Sequence, residues 1–258
     1  MNENPVVQVV PLNPENAAQS AYCCMTEVPT PWPQALCQCR EWISQHIGVH
    51  VDGFHLQMES GQIIGHLYYA PSEQALFSYQ VEPGVGVLYC EWVQQRYQKK
   101  GLGTLLFETF IHSQKEKHAK GILVETTDIE GQMHYSHYQS RGFKTIAASG
   151  HNQLMYLPLA AQTIQFQSRP VKVSPQRRIP VEIYLFRGFL CPYEVSTLQL
   201  VREVAQEFGD QVVLKEIWLT PETLATYGVA SGVLINGRRK LAGGESERAV
   251  RQAIMEEL

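Results

Sequence analysis

One short stretch constrains the fold of this chain more than any other: QRYQKKGLGTLLFETF, residues 95–110. An apolar run, GVGVLYCEWV, comes just before it and is typical of a buried strand, whereas the leucines and phenylalanines after the glycines recur at helical spacing. The pattern predicts a strand, a tight glycine turn and a helix. At such a turn the backbone N–H groups of the helix start point into a crevice and favour an anion, above all a phosphate.

The composition of the turn agrees with an anion site. Gly101 and Gly103 let a ligand approach the backbone closely, where a Cβ atom would collide with it. Lys99 and Lys100 add positive charge at the same place. An ordinary tight turn with two solvated lysines would show the same pattern, so this stretch alone leaves both interpretations open.

Flanking patterns place the turn within a larger α/β unit. Alternating and apolar runs predict strands, and amphipathic runs predict helices, in an order that continues to about residue 158. The predicted strands are VVQVVPL, GFHLQME, GQIIGHLYYAPS, GVGVLYCEWV, GILVETT and NQLMYLPL, and the predicted helices are ENAAQSAYCCM, PQALCQCREWISQHI, the helix after the glycine turn, and HYSHYQSRGF.

Two of these segments together resemble a known family. QKKGLG is similar to the Gln/Arg-x-x-Gly-x-Gly/Ala signature of the GNAT acyltransferases, and five residues lie between the strand LYCEWV and Lys99, as in the family. HYQSRGF resembles the family's Tyr-x-x-x-Gly-Phe segment, with Tyr138 as the tyrosine and Gly142-Phe143 as the pair. The order of the predicted elements extends the resemblance over residues 1–158.

The resemblance implies a fold and a cosubstrate. The expected fold class is α/β (α+β), a mixed twisted sheet with flanking helices that splays open after its fourth strand. Acetyl-CoA would enter the split, with its pantetheine along the backbone from Glu91 to Val93 and its pyrophosphate on the glycine turn. The cofactor-binding residues that the resemblance implies are Trp92, Val93, Gln98, Lys99, Lys100, Gly101, Leu102, Gly103 and Thr104.

The implied reaction is transfer of the acetyl group to an amine. It requires a neutral amine, a polarised thioester carbonyl and a proton for the departing thiolate. The backbone N–H of Val93 could polarise the carbonyl, and Tyr138 could supply the proton. Glu91 and Glu125, on the two flanking strands, are the candidate bases, although each could equally be a strand carboxylate that faces solvent.

The helix around Tyr138 contains alternatives and one departure from the family. Tyr135 lies one turn earlier and is a competing acid, but the spacing to Gly142 favours Tyr138. Gly131 stands where many members have an asparagine. His134 and His137 share a helix face, yet no third ligand is in sight, so we predict no metal site.

A second unit is predicted after a linker. Residues 159–179 are polar and rich in proline, and residues 180–258 read as a compact β-α-β-α-β-β-α unit. That unit resembles thioredoxin and glutaredoxin, since VEIYLFRGFLCPYEV parallels their strand, loop and Cys-Pro-Tyr-Cys helix start. Here Glu194 replaces the second cysteine, and GVASGVL lacks the family's cis-proline. We therefore expect a structural or binding module, with a monothiol role for Cys191 as the alternative.

Cysteine pairs and the appended unit point to a subfamily. The CC pair at 23–24, the CQC pair at 37–39, the segment LYYAPSE and the C-terminal unit together resemble the small YoaP-like subfamily. The clustered cysteines are more typical of reduced thiols than of a zinc site, because adjacent thiolates are hard to aim at one ion.

Composition limits the class of partner. A net charge of −4 over 258 residues provides no basic excess for nucleic acid. The sequence has no apolar run near the ~18 residues needed for a membrane span and no secretory signal, so it predicts a cytoplasmic protein. We expect an N-acyltransferase that acts on a small-molecule or peptide amine. The alternative is an acyl-CoA-binding sensor or adaptor without turnover. The sequence leaves the oligomeric state open.

Overall fold

A computed structural model of the chain describes residues 6–161, 163–177, 179–241 and 243–258. These residues form two compact units, each assembled from separate stretches of the chain. The first unit takes the residues up to Pro29, Ile43–Ala75 and Gln80–Gln167. The second takes Thr30–Trp42, Leu76–Tyr79 and Ser168–Leu258.

Thirteen strands and seven α-helices occur in the described residues. As far as residue 168 they are β1 (Val7–Pro11), α1 (Pro14–Ser20), α2 (Gln34–His46), β2 (Asp52–Met58), β3 (Ile63–Pro71), β4 (Tyr79–Val81), β5 (Val85–Val93), α3 (Leu102–Glu116), β6 (Gly121–Thr127), α4 (Tyr135–Ser140), β7 (Lys144–Ser149), β8 (Asn152–Pro158) and β9 (Phe166–Ser168). The rest are β10 (Val181–Arg187), α5 (Pro192–Gln206), β11 (Val212–Trp218), α6 (Pro221–Tyr227), β12 (Gly232–Ile235), β13 (Arg238–Leu241) and α7 (Glu247–Met255).

The first unit is built on a seven-stranded sheet in the order β1-β2-β3-β5-β6-β8-β7. Its neighbouring strands are antiparallel except β5 and β6, which run parallel. Parallel neighbours need a crossover, and α3 provides it. The predicted mixed sheet with flanking helices is confirmed.

Helix α3 fixes the main core of the first unit. Leu106 and Phe110 are fully buried and pack against Leu67 of β3 and Ile122 of β6, which are also fully buried. This pattern follows from the apolar stripe of the helix. Because one face of α3 is held against the sheet, its N-terminal end is fixed at the end of β5, where the glycine turn lies.

Strand β7 was not among the sequence predictions. Its sequence, KTIAAS, has a single large apolar residue, and it lies at the edge of the sheet, paired only with β8 in the described order. An edge strand with small side chains lacks the alternating pattern that identifies a strand.

The second unit has the predicted β-α-β-α-β-β-α order. Its four-stranded sheet runs β11-β10-β12-β13, with β10 and β11 parallel over their whole length and the others antiparallel. The β12–β13 turn is formed by Asn236 and Gly237, at φ 48° and 77°. Two successive residues with positive φ are typical of a tight hairpin turn.

The second unit also contains a segment from far upstream. The first residues of α2 belong to it, and Ala35 and Cys39 on one face of that helix are fully buried. The predicted linker, 159–179, includes the strand β9, which forms a two-stranded ladder with β4.

Candidate active site

The two parallel strands of the first unit separate partway along their length. Residues Val85–Leu88 of β5 pair with residues Gly121–Val124 of β6. Beyond them the two strands no longer pair, although β5 continues to Val93 and β6 to Thr127. At the same point the register of β5 with β3 steps from Leu88 to Cys90, so Tyr89 is an extra residue. A bulge of this kind bends a strand. The ends of β5 and β6 therefore border a crevice.

The glycine turn lies at the end of β5. Lys99 and Gly101 have positive φ, 58° and 79°, and Gly101 is the N-cap of α3. No side chain caps this helix, so its first N–H groups keep their capacity to bind an anion. A Cβ on Gly101 would meet nothing within 4 Å, whereas a Cβ on Gly103 would be in van der Waals contact with the Arg141 guanidinium, at 3.6 Å.

One side chain ties the turn to the strand. Gln98 Nε2 donates a hydrogen bond to the carbonyl of Val93, at 2.8 Å. Leu102 is buried in the main core and anchors the first turn of α3 from below. Gly101 and Thr104 remain exposed, as does Lys99. This arrangement leaves the backbone and lysines of the turn accessible while the turn itself is held in place.

Trp92 fixes the outer end of β5. Its indole Nε1 donates to Glu27 at 3.2 Å, and the backbone N–H of Gln95 donates to the other oxygen of the same carboxylate at 2.7 Å. In the ladder, Trp92 lies opposite His66 of β3. Glu27 thereby holds the segment between the strand and the turn.

Glu91 is not an isolated carboxylate. Arg141 donates to both of its oxygens, at 2.6 and 2.9 Å, and a third hydrogen bond of 3.2 Å joins Arg141 Nη2 to the carbonyl of Gly103. The Glu91 side chain is 6% exposed and the Arg141 side chain is 14% exposed. The guanidinium also lies over the ring of Phe107, 4.2 Å from its centre. A buried bidentate pair of this kind holds the Glu91 carboxylate in one orientation.

The sequence did not identify Arg141 as a site residue. It lies directly before Gly142, inside the HYQSRGF segment. The positive charge of Arg141, within a motif of aromatic and polar residues, was the one feature of the sequence that could have indicated its role. Its partner is 50 residues away along the chain, so spacing alone could not pair them.

Tyr138 lies inside the core beside this ion pair. Its side chain is 1% exposed, and its ring packs edge-on against Phe143 at 5.5 Å. Burial raises the pKa of the phenol well above its ordinary value, and negative charge on Glu91 and Cys90 raises it further, whereas Arg141 opposes the shift. The hydroxyl is therefore protonated at neutral pH, as a proton donor must be.

Glu125 lies on the other side of the split. It is exposed and follows Val124, the last residue of β6 that pairs with β5. On its other edge it stays in register with Leu154 of β8. Of the two predicted bases, Glu125 is open to solvent and Glu91 is enclosed in an ion pair.

The neighbouring residues of α4 have different surroundings. Tyr135 is partly buried against the main core. His134 is the N-cap of α4 and accepts a hydrogen bond from the backbone of Ser136. His137 Nε2 lies 4.0 Å from Glu91, and burial, with the charge of Arg141, lowers its pKa although Glu91 opposes the shift.

The described residues contain no cluster of three or more His, Cys, Asp or Glu side chains arranged to hold a metal ion. Within the same ranges, every helix is too short or too polar to cross a bilayer. The surroundings of His134 and His137 are accounted for by the cap of α4 and by the Glu91–Arg141 pair.

The helix start of the second unit differs from that of α3. Cys191 is the N-cap of α5, Pro192 is its first residue and Glu194 lies in its first turn. Cys191 is partly exposed. Ala230 lies two residues before β12, and its carbonyl lies 3.4 Å from a Cβ built on Gly188.

These features of the first unit fit the cosubstrate that the sequence motifs imply. CoA carries a pyrophosphate, which matches uncapped N–H groups at a helix start beside two lysines. Its pantetheine arm carries amides, which match the backbone of β5 beyond the point where β6 departs. The open space at Gly101 leaves room for a close approach to the backbone.

Comparison with known proteins agrees with this geometry. Residues 19–143, just under half of the chain, match the model of the acetyltransferase (GNAT) family. No curated protein sequence matches the chain significantly.

Solved structures of acetyltransferases are also similar to part of the chain. A GNAT acetyltransferase from Staphylococcus aureus is 16% identical and is covered over 100% of its length and 60% of this chain, with a TM-score of 0.45. One from Brucella melitensis, in complex with acetyl-CoA, is 16% identical, with coverage of 91% and 61% and a TM-score of 0.43. The ribosomal-protein-S18-alanine N-acetyltransferase of Escherichia coli is 17% identical, with coverage of 97% and 61% and a TM-score of 0.45.

The family match covers the glycine turn, the separating strands and the Tyr138 segment. One of these solved structures contains acetyl-CoA, the cosubstrate that the sequence motifs imply for this chain. Residues 19–143 are therefore similar to the GNAT acetyltransferase family, and the first unit has a mixed α/β fold.

Proposed function

We propose that this chain is an acetyl-CoA-dependent N-acyltransferase whose acceptor is the amine of a small molecule or peptide. The observation that carries the proposal is the separation of β5 from β6 directly beside an uncapped, lysine-flanked helix start. Members of the family use such a split to bind a thioester and such a turn to bind its pyrophosphate. The proposed location is the cytoplasm.

The chain's own residues would bind and orient the cosubstrate. Backbone groups from Glu91 to Val93 would pair with the pantetheine amides, and the N–H groups from Gly101 to Thr104 would bind the pyrophosphate. Lys99 and Lys100 would contribute charge. Acetyl-CoA supplies the acyl group as a thioester. The site must then remove a proton from the amine and give one to the departing thiolate.

Three side chains are proposed to serve the chemistry. Tyr138 would donate its proton to the departing sulfur, because it is protonated and lies beside the crevice strand. Glu125 would accept the amine proton, directly or through water, because it is exposed at the split. Glu91 would act chiefly through Arg141, which it orients against the carbonyl of Gly103.

An acyl-CoA sensor without turnover is the alternative. The buried and protonated Tyr138 supports catalysis over this alternative. It predicts the same CoA affinity but no release of free CoA with any amine.

For the remainder of the chain we propose the domain ranges 1–158, 159–179 and 180–258, with a thioredoxin-like fold in the last and the YoaP-like subfamily for the whole. The strand order β11-β10-β12-β13, with a parallel first pair, supports the fold assignment. The contacts of Thr30–Trp42 add an upstream segment to the last unit.

A direct experiment combines calorimetry and turnover. Titration of the full chain with CoA measures binding, and a panel of small amines and peptides with free N-termini is then screened for release of CoA thiol from acetyl-CoA. The proposal expects saturable binding and thiol release that depends on one class of amine. Absence of CoA binding to the folded protein would contradict it, and binding without release across the panel would favour the sensor.

A further inference from the structure

The second unit has one thiol at a helix start and lacks the usual second one. Cys191 is the N-cap of α5, and the position three residues later is Glu194. A dithiol site needs another cysteine that can attack the sulfur of the first, wherever it lies in the sequence. The structure contains a candidate from a different part of the chain.

The first residues of α2 are packed against this helix start. The backbone N–H of Trp32 donates to Ser196 Oγ of α5 at 3.2 Å. Arg187, at the end of β10, donates to the side chain of Gln38 at 3.4 Å. The ring of Trp42 stacks on Phe189, with centroids 6.5 Å apart.

Cys39 lies within this contact. It precedes Trp42 by three residues in α2, so the two share one side of the helix. Its side chain has no exposed surface. Burial raises the pKa of its thiol well above the ordinary range, and charge on Cys191 and Glu194 raises it further. Together with the contacts of Trp32, Gln38 and Trp42, this electrostatic coupling places Cys39 near the start of α5.

We propose that Cys39 and Cys191 form a redox-active dithiol that exchanges with low-molecular-weight disulfides. Cys191 attacks the disulfide R–S–S–R, which forms a Cys191–S–S–R bond and releases one thiol, R–SH. Cys39 then attacks the sulfur of Cys191, forms the Cys39–Cys191 disulfide and releases the second R–SH. Two protein thiols are oxidised, one disulfide is reduced, and the two protons leave on the two released thiols.

The surroundings assign the order of attack. Cys191 is partly exposed and lies at a helix N-terminus, where N–H groups stabilise a thiolate. Cys39 is enclosed and protonated, so an external disulfide cannot reach it, and it reacts only once Cys191 has been modified. This assignment is independent of the proposed acetyl transfer, because the first unit contributes no residue to it.

The experiment uses the full chain and glutathione disulfide. The reduced protein is incubated with glutathione disulfide, quenched with acid and examined by intact mass and peptide mapping. We expect a product that has lost two hydrogen atoms, with the peptides of Cys39 and Cys191 joined. In Cys39→Ser, glutathione should remain on Cys191 at least ~10-fold longer than in the wild type, because the resolving thiol is absent.

A matched control is available on the same helix. Cys37 is exposed and two residues from Cys39, and Cys37→Ser should leave the joined peptides unchanged. Cys39→Ala, checked by circular dichroism, replaces Cys39→Ser if a buried hydroxyl prevents folding. A wild-type glutathione adduct as persistent as that of the Cys39 variant, or a disulfide from Cys191 to any other cysteine, would overturn the proposal.

Discussion

Both units contain a strand, a helix and a parallel strand, yet the two helix starts are built differently. In the first unit β5 and β6 pair over four residues and then part. In the second unit β10 and β11 pair over seven residues, with Val181–Arg187 opposite Val212–Trp218. The first arrangement leaves a crevice between strand ends, and the second closes it.

The residues at the two helix starts match this difference. Helix α3 begins after Gly101 without a side-chain cap, so backbone N–H groups define what binds there. Helix α5 begins at Cys191 and Pro192 and carries Glu194 in its first turn, so side chains define the chemistry. The same order of strand, helix and parallel strand can therefore give either a backbone anion site or a side-chain site at the helix start. Which one forms depends on how far the two parallel strands stay paired.

The sharpest test of the backbone site is Gly103→Val. The branched side chain would fill the space beside the turn and meet Arg141, so CoA affinity should fall by at least ~100-fold, or about 3 kcal/mol. Calorimetry with CoA measures it. His112→Val, on the exposed side of the same helix, controls for helix propensity and should bind normally. Near wild-type affinity in a folded Gly103→Val would remove the turn from the site.

The next largest effect is expected for Tyr138→Phe. The ring keeps its packing against Phe143, but the proton for the departing thiolate is lost. General acid assistance typically contributes ~10² to 10⁴-fold, and because a thiolate is a fair leaving group we expect about 10². Acetyl-CoA affinity should be unchanged.

Single-turnover transfer with an accepted amine, together with a separate binding measurement, checks this. Tyr135→Phe is the matched control, since that tyrosine is the competing acid and lies one turn away. A silent Tyr138→Phe alongside a slow Tyr135→Phe would exchange the two roles.

In the second unit, buried charge contributes stability that depends on pH. Burial raises the pKa of Glu257, but hydrogen bonds from Lys240, Arg238 and Asn236 outweigh this effect and lower it to about 2, from 4.5. A lowered folded-state pKa stabilises the fold above pH 4.5, and this contribution is lost as the pH falls toward 2.

Glu257→Gln should therefore lower the local opening free energy by about 2 kcal/mol at neutral pH and by much less near pH 2. Hydrogen exchange of amides in β12 and α7 measures the effect where it arises. Glu256→Gln is the control, because that carboxylate is 55% exposed. Equal losses in the two variants would show that the buried network does not supply the stability.

The smallest predicted effect concerns the charge beside Cys191. Replacing Glu194 by Gln removes a negative charge that disfavours a thiolate at the start of α5. Alkylation of Cys191 by iodoacetamide at neutral pH should be about 3-fold faster, the size expected for one nearby charge in a solvated setting. Glu203→Gln, further along the helix, should leave the rate unchanged. A slower reaction would assign Glu194 a different role.

Much of the first unit's site could be predicted because its signals are local. The glycine turn and the start of α3 occupy neighbouring residues. Their conformation depends on features that the sequence shows directly: a glycine, which has no Cβ, apolar residues at helical spacing, and two adjacent lysines. The same holds for the order of strands and helices in the second unit. The edge strand β7 was not predicted because its side chains are small and its own sequence does not determine its position in the sheet.

The sequence by itself determined the βαβ order, the glycine turn at Gly101 and the motif around Tyr138, since each depends on contacts within a few residues. Only the tertiary structure decided that Arg141 pairs with Glu91 and that the segment of Cys39 packs against the elements around Cys191. Those neighbours come from distant parts of the chain, and packing of whole faces brings them together. Spacing along a sequence encodes local geometry, whereas the partner of a buried charge or thiol is set by the fold that surrounds it.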